Sequence, residues 1–343
     1  MDERPAAPER ILHSIQILRA LAAWAIVVQH YYLIFPIASP SWWRQGFMDH
    51  GAVGVDVFFI VSGFVMALGA SDPEITPRQF VAKRLGRIVP AYWLYTMIVA
   101  ALIYYLPEAM PNQGVSPEFL VKSLLFIPAQ NPSGIGLLPV NTVGWTLNLE
   151  MVFYLIVAIS LFVALPRRWL WIVVGLAIWQ MVLAPLGIIS PLYISPLPYE
   201  FAMGIGAFHL WKSGVLRGPS WAFAVLAGVA LWMLSRAPLV EPMRVITCGV
   251  PALLFVCACI GLEPHIKRAS ILGRLGDHSY SVYLVHPAIL YLGAYGWKQT
   301  HIKHVFPILC MISIALIGWA SYRFIERPLG RLLTRLIARR RPA

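Results

Sequence analysis

The chain has 343 residues, of which 59% are hydrophobic and only 12% charged, with a mean hydropathy of +0.70. Those proportions exclude a disordered chain, a nucleic-acid-binding fold and a soluble enzyme with one anchor. They leave a membrane protein with apolar residues enough for roughly ten spans of about 20 residues. The net charge of +12 would suit a nucleic-acid binder, yet the basic residues lie between apolar runs, where topology and anionic lipid account for them and no nucleic-acid partner is expected.

The first run is expected to remain as a helix: residues 1–9 carry Asp2, Glu3 and Pro5, and Arg19 follows with no small-residue cleavage site. In chain order, apolar runs predict spans over 14–35, 51–70, 88–106, 143–165, 169–186, 196–212, 220–235, 244–262, 278–296 and 305–326. With the N-terminus inside, 21 Lys and Arg fall on the cytoplasmic side, including Lys83, Arg84, Arg87, Lys267, Arg268 and the series Arg323 to Arg341. Only 6 fall outside: Arg44, Lys122, Arg236, Arg244, Lys298 and Lys303. This asymmetry predicts an all-α polytopic bundle of about ten transmembrane helices, both termini cytoplasmic, with no soluble domain and a basic tail over 331–343. The outer segment 107–142 holds Phe119 to Ile127, too short to span and read as re-entrant or interfacial. Cys248, Cys257, Cys259 and Cys310 sit inside apolar runs without metal-ligand spacing and are expected to pack. No metal site is expected.

Ionisable groups inside lipid need a partner or a function. Arg19 and His30 lie eleven residues apart on the first helix, which returns them to within about 20° of one face with a rise of about 16 Å. Asp56, Glu150 and Glu200 each sit about five residues inside the outer end of a span, so depth alone predicts one layer with His30. An imidazole near carboxylates can serve as a general base; buried hydrogen bonds joining helices explain the same residues without chemistry. Arg84 and Arg87 share a helical face suited to phosphate oxygens, and a positive-inside loop explains them equally. Ser279, Tyr283 and His286 form a polar stripe, as do Thr146, Glu150 and Tyr154, with Trp145 at the outer interface. Neither a phosphate-binding glycine loop nor a Gly-x-Ser-x-Gly elbow occurs.

Six blocks follow in order: Ile15-Gln-Ile-Leu-Arg19 with His30; Gly51-Ala-Val-Gly54-Val-Asp56 through Ser62-Gly63-Phe64; Lys83-Arg84-Leu-Gly-Arg87 through Pro90; Trp145-Thr-Leu-Asn-Leu-Glu150 with Tyr154; Ser279-Tyr280-Ser-Val-Tyr283-Leu-Val-His286-Pro287; and Phe324-Ile-Glu326-Arg327-Pro328. Together they resemble acyltransferase family 3, integral membrane acyltransferases, over residues 11–330, and the first two blocks resemble its exopolysaccharide-production branch. The resemblance implies transfer of an acyl group, usually acetyl from cytoplasmic acetyl-CoA, to a sugar hydroxyl of a polysaccharide or lipid-linked precursor in the bacterial cytoplasmic membrane. It implies essential roles for Arg19 and His30, and a donor role for Arg84 and Arg87. Trp145, Glu200, Tyr283 and His286 are then expected on the acceptor side, with polysaccharide-export machinery as a partner. Asn148 departs from the family, where many relatives carry Ser or Val before a Glu-Glu or Glu-Gln pair; Met151 leaves Glu150 alone.

On this reading the CoA phosphates stay at the inner basic surface while the pantetheine arm, about 15–20 Å long, follows the Arg19–His30 wall. His30 deprotonates the sugar hydroxyl, with Asp56 or Glu150 orienting it, and an acyl-His intermediate is the second variant. A transporter or flippase of a lipid-linked glycan is the alternative of a different class, and a scaffold for polysaccharide export the third.

Overall fold

The computed structural model describes residues 12–35, 41–111, 114–183, 185–187, 189–239, 243–266, 271–300 and 305–338. The basic calls at Arg4, Arg10, Lys267, Arg268, Lys303 and 339–341 lie outside them, as does the end of the 331–343 tail. Every described element is helical. Each of the ten predicted segments coincides with a helix: α1 His13–Ile34, α3 Val53–Ala70, α4 Pro77–Tyr105, α6 Trp145–Ser160, α7 Leu165–Ile178, α8 Pro198–Lys212, α9 Ser220–Leu234, α10 Val250–Gly261, α12 Ser279–Gln299 and α13 Val305–Ser321. Five stretches are long and apolar enough to cross a membrane: α1, α3, α4, Thr142–Ser160 and Val305–Ile337. The chain is thus an all-helical integral membrane protein. Shorter helices are α2 Trp42–His50, α5 Pro117–Leu124 and α11 Ile271–Asp277, and α14 Arg327–Ala338 continues α13 through a wide π turn at Tyr322–Glu326.

Close backbone approach builds the centre. A methyl group on Gly63 would collide with the Phe201 carbonyl, and one on Gly204 with the Ile60 carbonyl, so α3 and α8 lie in direct contact. Phe153 of α6 stacks on Phe201 at 4.3 Å. Gly51 and Gly54 bring the outer part of α3 against Ala22, Ala25 and Gln29 of α1 in the same way.

Helix ends are satisfied by side chains. The Glu263 carboxylate accepts from the His13 and Ser14 amides at 2.8 and 2.7 Å, which caps α1. Arg168 donates to the Ala70 carbonyl and ties the end of α3 to the start of α7. Helix α4 starts eleven residues before its predicted span because Thr76 and Gln79 form a capping box, with Pro77 in the first turn.

The stretch Phe119 to Ile127 forms α5 and the turn after it. It docks on the middle of α4: Tyr92 donates to the Ser123 carbonyl at 2.9 Å and Trp93 to the Leu124 carbonyl at 2.8 Å. Those residues lie about 18 Å along the axis from the outer end of α4. Phe126, at φ 58°, stacks on Tyr92 at 4.7 Å, which offsets its strained backbone.

Candidate active site

Four helices, α1, α3, α6 and α12, enclose a polar file running along the bundle from the His30 end of α1. At that end His30 Nδ1 lies 2.8 Å from His286 Nε2, with the rings tilted by 30°. His286 is wholly buried. Its Nδ1 makes no well-aligned hydrogen bond, and its polar neighbours are the Val282 and Tyr283 carbonyls of its own helix. In the tautomer with the His286 proton on Nδ1, towards those carbonyls, His286 Nε2 accepts from His30. His30 Nδ1 is then the donor, and His30 Nε2 holds the free lone pair. His30 is partly exposed, so that lone pair sits in the accessible member of the dyad.

One turn inward, the Tyr283 hydroxyl lies 3.0 Å from Thr146 Oγ1 and 3.0 Å from the Val143 carbonyl, which joins α12 to α6. The Tyr283 and His286 rings are 5.8 Å apart. Below them a narrow cavity of about 30 Å³ is walled by Ile26, Phe58, Ser62, Glu150, Tyr280 and Tyr283. Ile26 is seven residues after Arg19 and four before His30, a helical stripe that lines the file. Glu150 Oε1 accepts from Tyr154 at 2.6 Å and Ser62 at 3.1 Å. Tyr154, which donates to Glu150, lies within electrostatic range of Arg84 and Arg87 of α4. Arg84 points at the Val65 carbonyl, 3.4 Å away, and lies over the Phe80 ring. Arg19 is buried and donates to Gln16 Oε1 at 3.2 Å.

The single carboxylate layer expected from depth is corrected in two respects. Glu150 bonds Ser62, six residues or about 9 Å deeper on α3 than Asp56. Asp56 is turned away from His30, pairing bidentately with Arg244 at 2.8 and 3.1 Å. Among the described residues no carboxylate stands within ion-pair distance of His30, whose partner is His286 instead. The physical reason is lateral: helices at one depth still face different neighbours. Glu200, fully buried, lies beside Gly249 and acts electrostatically on Arg244, so Asp56, Glu200 and Arg244 form a second cluster. Trp145, half-buried, packs on the apolar core at the start of α6.

Sequence reasoning missed Arg244 as the partner of Asp56 and placed it only as an outer loop cation. The signal was its position at the first residue of an apolar run. Outside the spans, burial raises the Asp277 carboxyl above its usual range, against the opposing pull of His278, Arg327 and Arg87.

Residues 12–323 match the family described as Acyltransferase domain. The exopolysaccharide production protein ExoZ of Rhizobium meliloti (strain 1021) is 36% identical over 293 residues, 82% of this chain and 90% of that protein. The acyltransferase MdmB of Streptomyces mycarofaciens is 29% identical over 331 residues, 85% of this chain and 83% of that protein. The peptidoglycan O-acetyltransferase OatA of Listeria monocytogenes is 28% identical over 360 residues, covering 93% of this chain but 56% of that protein. No solved structure matches.

Proposed function

Because the chain belongs to this acyltransferase family and is a membrane O-acyltransferase, we propose that it moves an acetyl group from cytoplasmic acetyl-CoA to a sugar hydroxyl of an exopolysaccharide or surface-glycan precursor. The observation that carries this reading is the polar file itself, with a basic inner end and a histidine dyad at its outer end. Donor and acceptor can meet from opposite sides of such a file without either crossing the bilayer.

In this reading His30 Nε2 takes the proton of the attacking hydroxyl. The sugar oxygen forms its bond to the thioester carbonyl carbon, the C–S bond breaks, and the proton passes to the departing thiolate. His286 accepts from His30 Nδ1 and holds the ring in the tautomer that presents Nε2; it is a positioning residue. Tyr283, Thr146 and Glu150 line the route of the acyl arm. Arg19 and Arg87 favour the anionic donor, Arg84 braces α4 against α3, and Asp56 with Arg244 and Glu200 fixes the ends of α3, α8 and α10. Trp145 stands at the acceptor side. The domain reads as residues 11–330, ten spans in the bacterial cytoplasmic membrane with both termini inside, and polysaccharide-export proteins are its natural partners.

Purified protein in liposomes, given acetyl-CoA labelled in the acetyl group and a glycan acceptor, tests the reading. Label covalently on carbohydrate, lost in His30→Gln, supports it; glycan that crosses the vesicle without label overturns it.

A further inference from the structure

Gly86 and Gly330 let α4 and α14 touch backbone to backbone. A methyl group on Gly86 would stand 2.8 Å from the Gly330 carbonyl oxygen, and one on Gly330 would stand 2.6 Å from that of Gly86. Long side chains leaving this contact border an open groove of about 380 Å³ between α4 and α14. Its cations are Lys83 and Arg87 from α4, and Arg327, Arg331 and Arg335 from α14. Steps of four residues put the last three on one helical face, and the wide turn at Tyr322–Glu326 sets where that face points.

Charge in the wall is mainly positive, with Glu326 acting electrostatically on Arg87, and the nearby Asp277 on Arg87 and Arg327. Glu326 is its one carboxylate, and that group is buried and accepts from Ser281 at 2.8 Å. Among the described residues no carboxylate comes within ion-pair distance of any of the five cations. Like charges gathered around a hollow repel one another, so the arrangement favours an anion carrying several charges. Arg84 is directed at α3, so of the two Arg-x-x-Arg arginines only Arg87 reaches this space. Tyr322 adds an aromatic ring to the wall.

We infer that this groove seats the 3′-phosphorylated ADP portion of a CoA thioester, a 5′-diphosphate with a 3′-phosphate, and that Arg331 and Arg335 of α14 read its phosphates together with Arg87. The inference rests on the acyl-CoA reading above and adds a specificity to it. That head carries about four negative charges, two on the pyrophosphate linkage and up to two on the 3′-phosphate, a closer match to five cations than the pyrophosphate alone. An anionic lipid headgroup offers the same phosphate chemistry, and the test separates the two.

Purified protein is titrated with adenosine 3′,5′-bisphosphate and with 5′-AMP, and acetyl transfer is followed with acetyl-CoA and with 3′-dephospho-acetyl-CoA. Wild type is expected to bind the bisphosphate at least about tenfold more tightly, and the dephospho thioester to have a KM higher by a similar factor. In Arg331→Gln/Arg335→Gln both preferences collapse. Equal KM values in wild type overturn the inference without any variant, and preferences that survive in the variant overturn it while the acyl-CoA donor stands. Transfer from neither thioester, with bisphosphate binding that the variant loses, sinks the donor reading and leaves the site. In vesicles with and without phosphatidylglycerol, a variant with unchanged KM for acetyl-CoA that loses a lipid-dependent gain in activity assigns the groove to lipid and overturns the inference.

Discussion

His30 and His286 stand 256 residues apart in sequence and 2.8 Å apart in space, one partly exposed and the other fully buried. As His30 takes a proton, its Nδ1–H becomes a charge-assisted donor to His286 Nε2. Such a bond is worth about 1.5–3 kcal/mol, or roughly 10–10² in rate. His30→Gln should lower kcat by about 10²–10⁴ in monodisperse protein. His286→Leu should lose about 10–10², and His286→Gln, whose amide oxygen can still accept, should recover part of that. The double variant should be no slower than His30→Gln alone, because the two act as a unit. Acetyl transfer measured across the four proteins checks this, and simple additivity would show that the rings work independently.

The two arginines of the Arg-x-x-Arg block face different surroundings, so they should not behave alike. Arg84 donates to Val65 and covers Phe80, while Arg87 borders the groove between α4 and α14. Arg87→Ala is expected to raise KM for acetyl-CoA about tenfold with a smaller change in kcat. Arg84→Ala should chiefly lower thermal stability, through lost packing of its stem and guanidinium. Steady-state kinetics with a thermal melt of each protein distinguish them; identical profiles would return both to one role.

How far the sequence could be read depends on whether the signal was local. Apolar run length marked a helix at each predicted segment, of which five stretches are long and apolar enough to span, because each run must bury or span by itself. The start of α4 lies in Thr76-Pro-Arg-Gln79, a capping box ahead of a charge-rich stretch that run length alone does not mark. Helix α14 escaped for the same reason: it is amphipathic, not uniformly apolar, and its arginines read as a positive-inside tail. The site residues were read as intramembrane polar groups, yet their pairing was not legible. Depth along a helix follows from sequence at 1.5 Å per residue, whereas the azimuth each side chain faces follows from packing. Hence Asp56 met Arg244 and His30 met His286, contacts that no local pattern encodes.

Breaking the Asp56–Arg244 pair should be costly, since both side chains are nearly or wholly buried. Arg244→Met leaves the Asp56 carboxylate in the bundle beside Glu200 and should destabilise by about 3–5 kcal/mol. Asp56→Leu with Arg244→Met removes both charges and should recover most of that loss. Retention of the monomer peak after heating in detergent measures the series. A double variant as unstable as Arg244→Met would mean that another group, not the stranded carboxylate, sets the cost.

Orientation gives the last test, and the fold sharpens it. Arg168 donates to the Ala70 carbonyl, which fixes the end of α3 and the start of α7 on one side of the membrane. Reporter fusions after Ala70 and after Leu165 must therefore agree with each other, whichever side that is. The charge asymmetry of 21 against 6 puts that side in the cytoplasm. A fusion after Pro139, between α5 and α6, should read outside. Agreement of the first two in the periplasm would reverse the orientation and keep the fold. Disagreement between them would break the helix pairing itself, because Arg168 cannot bond Ala70 across a bilayer about 30 Å thick.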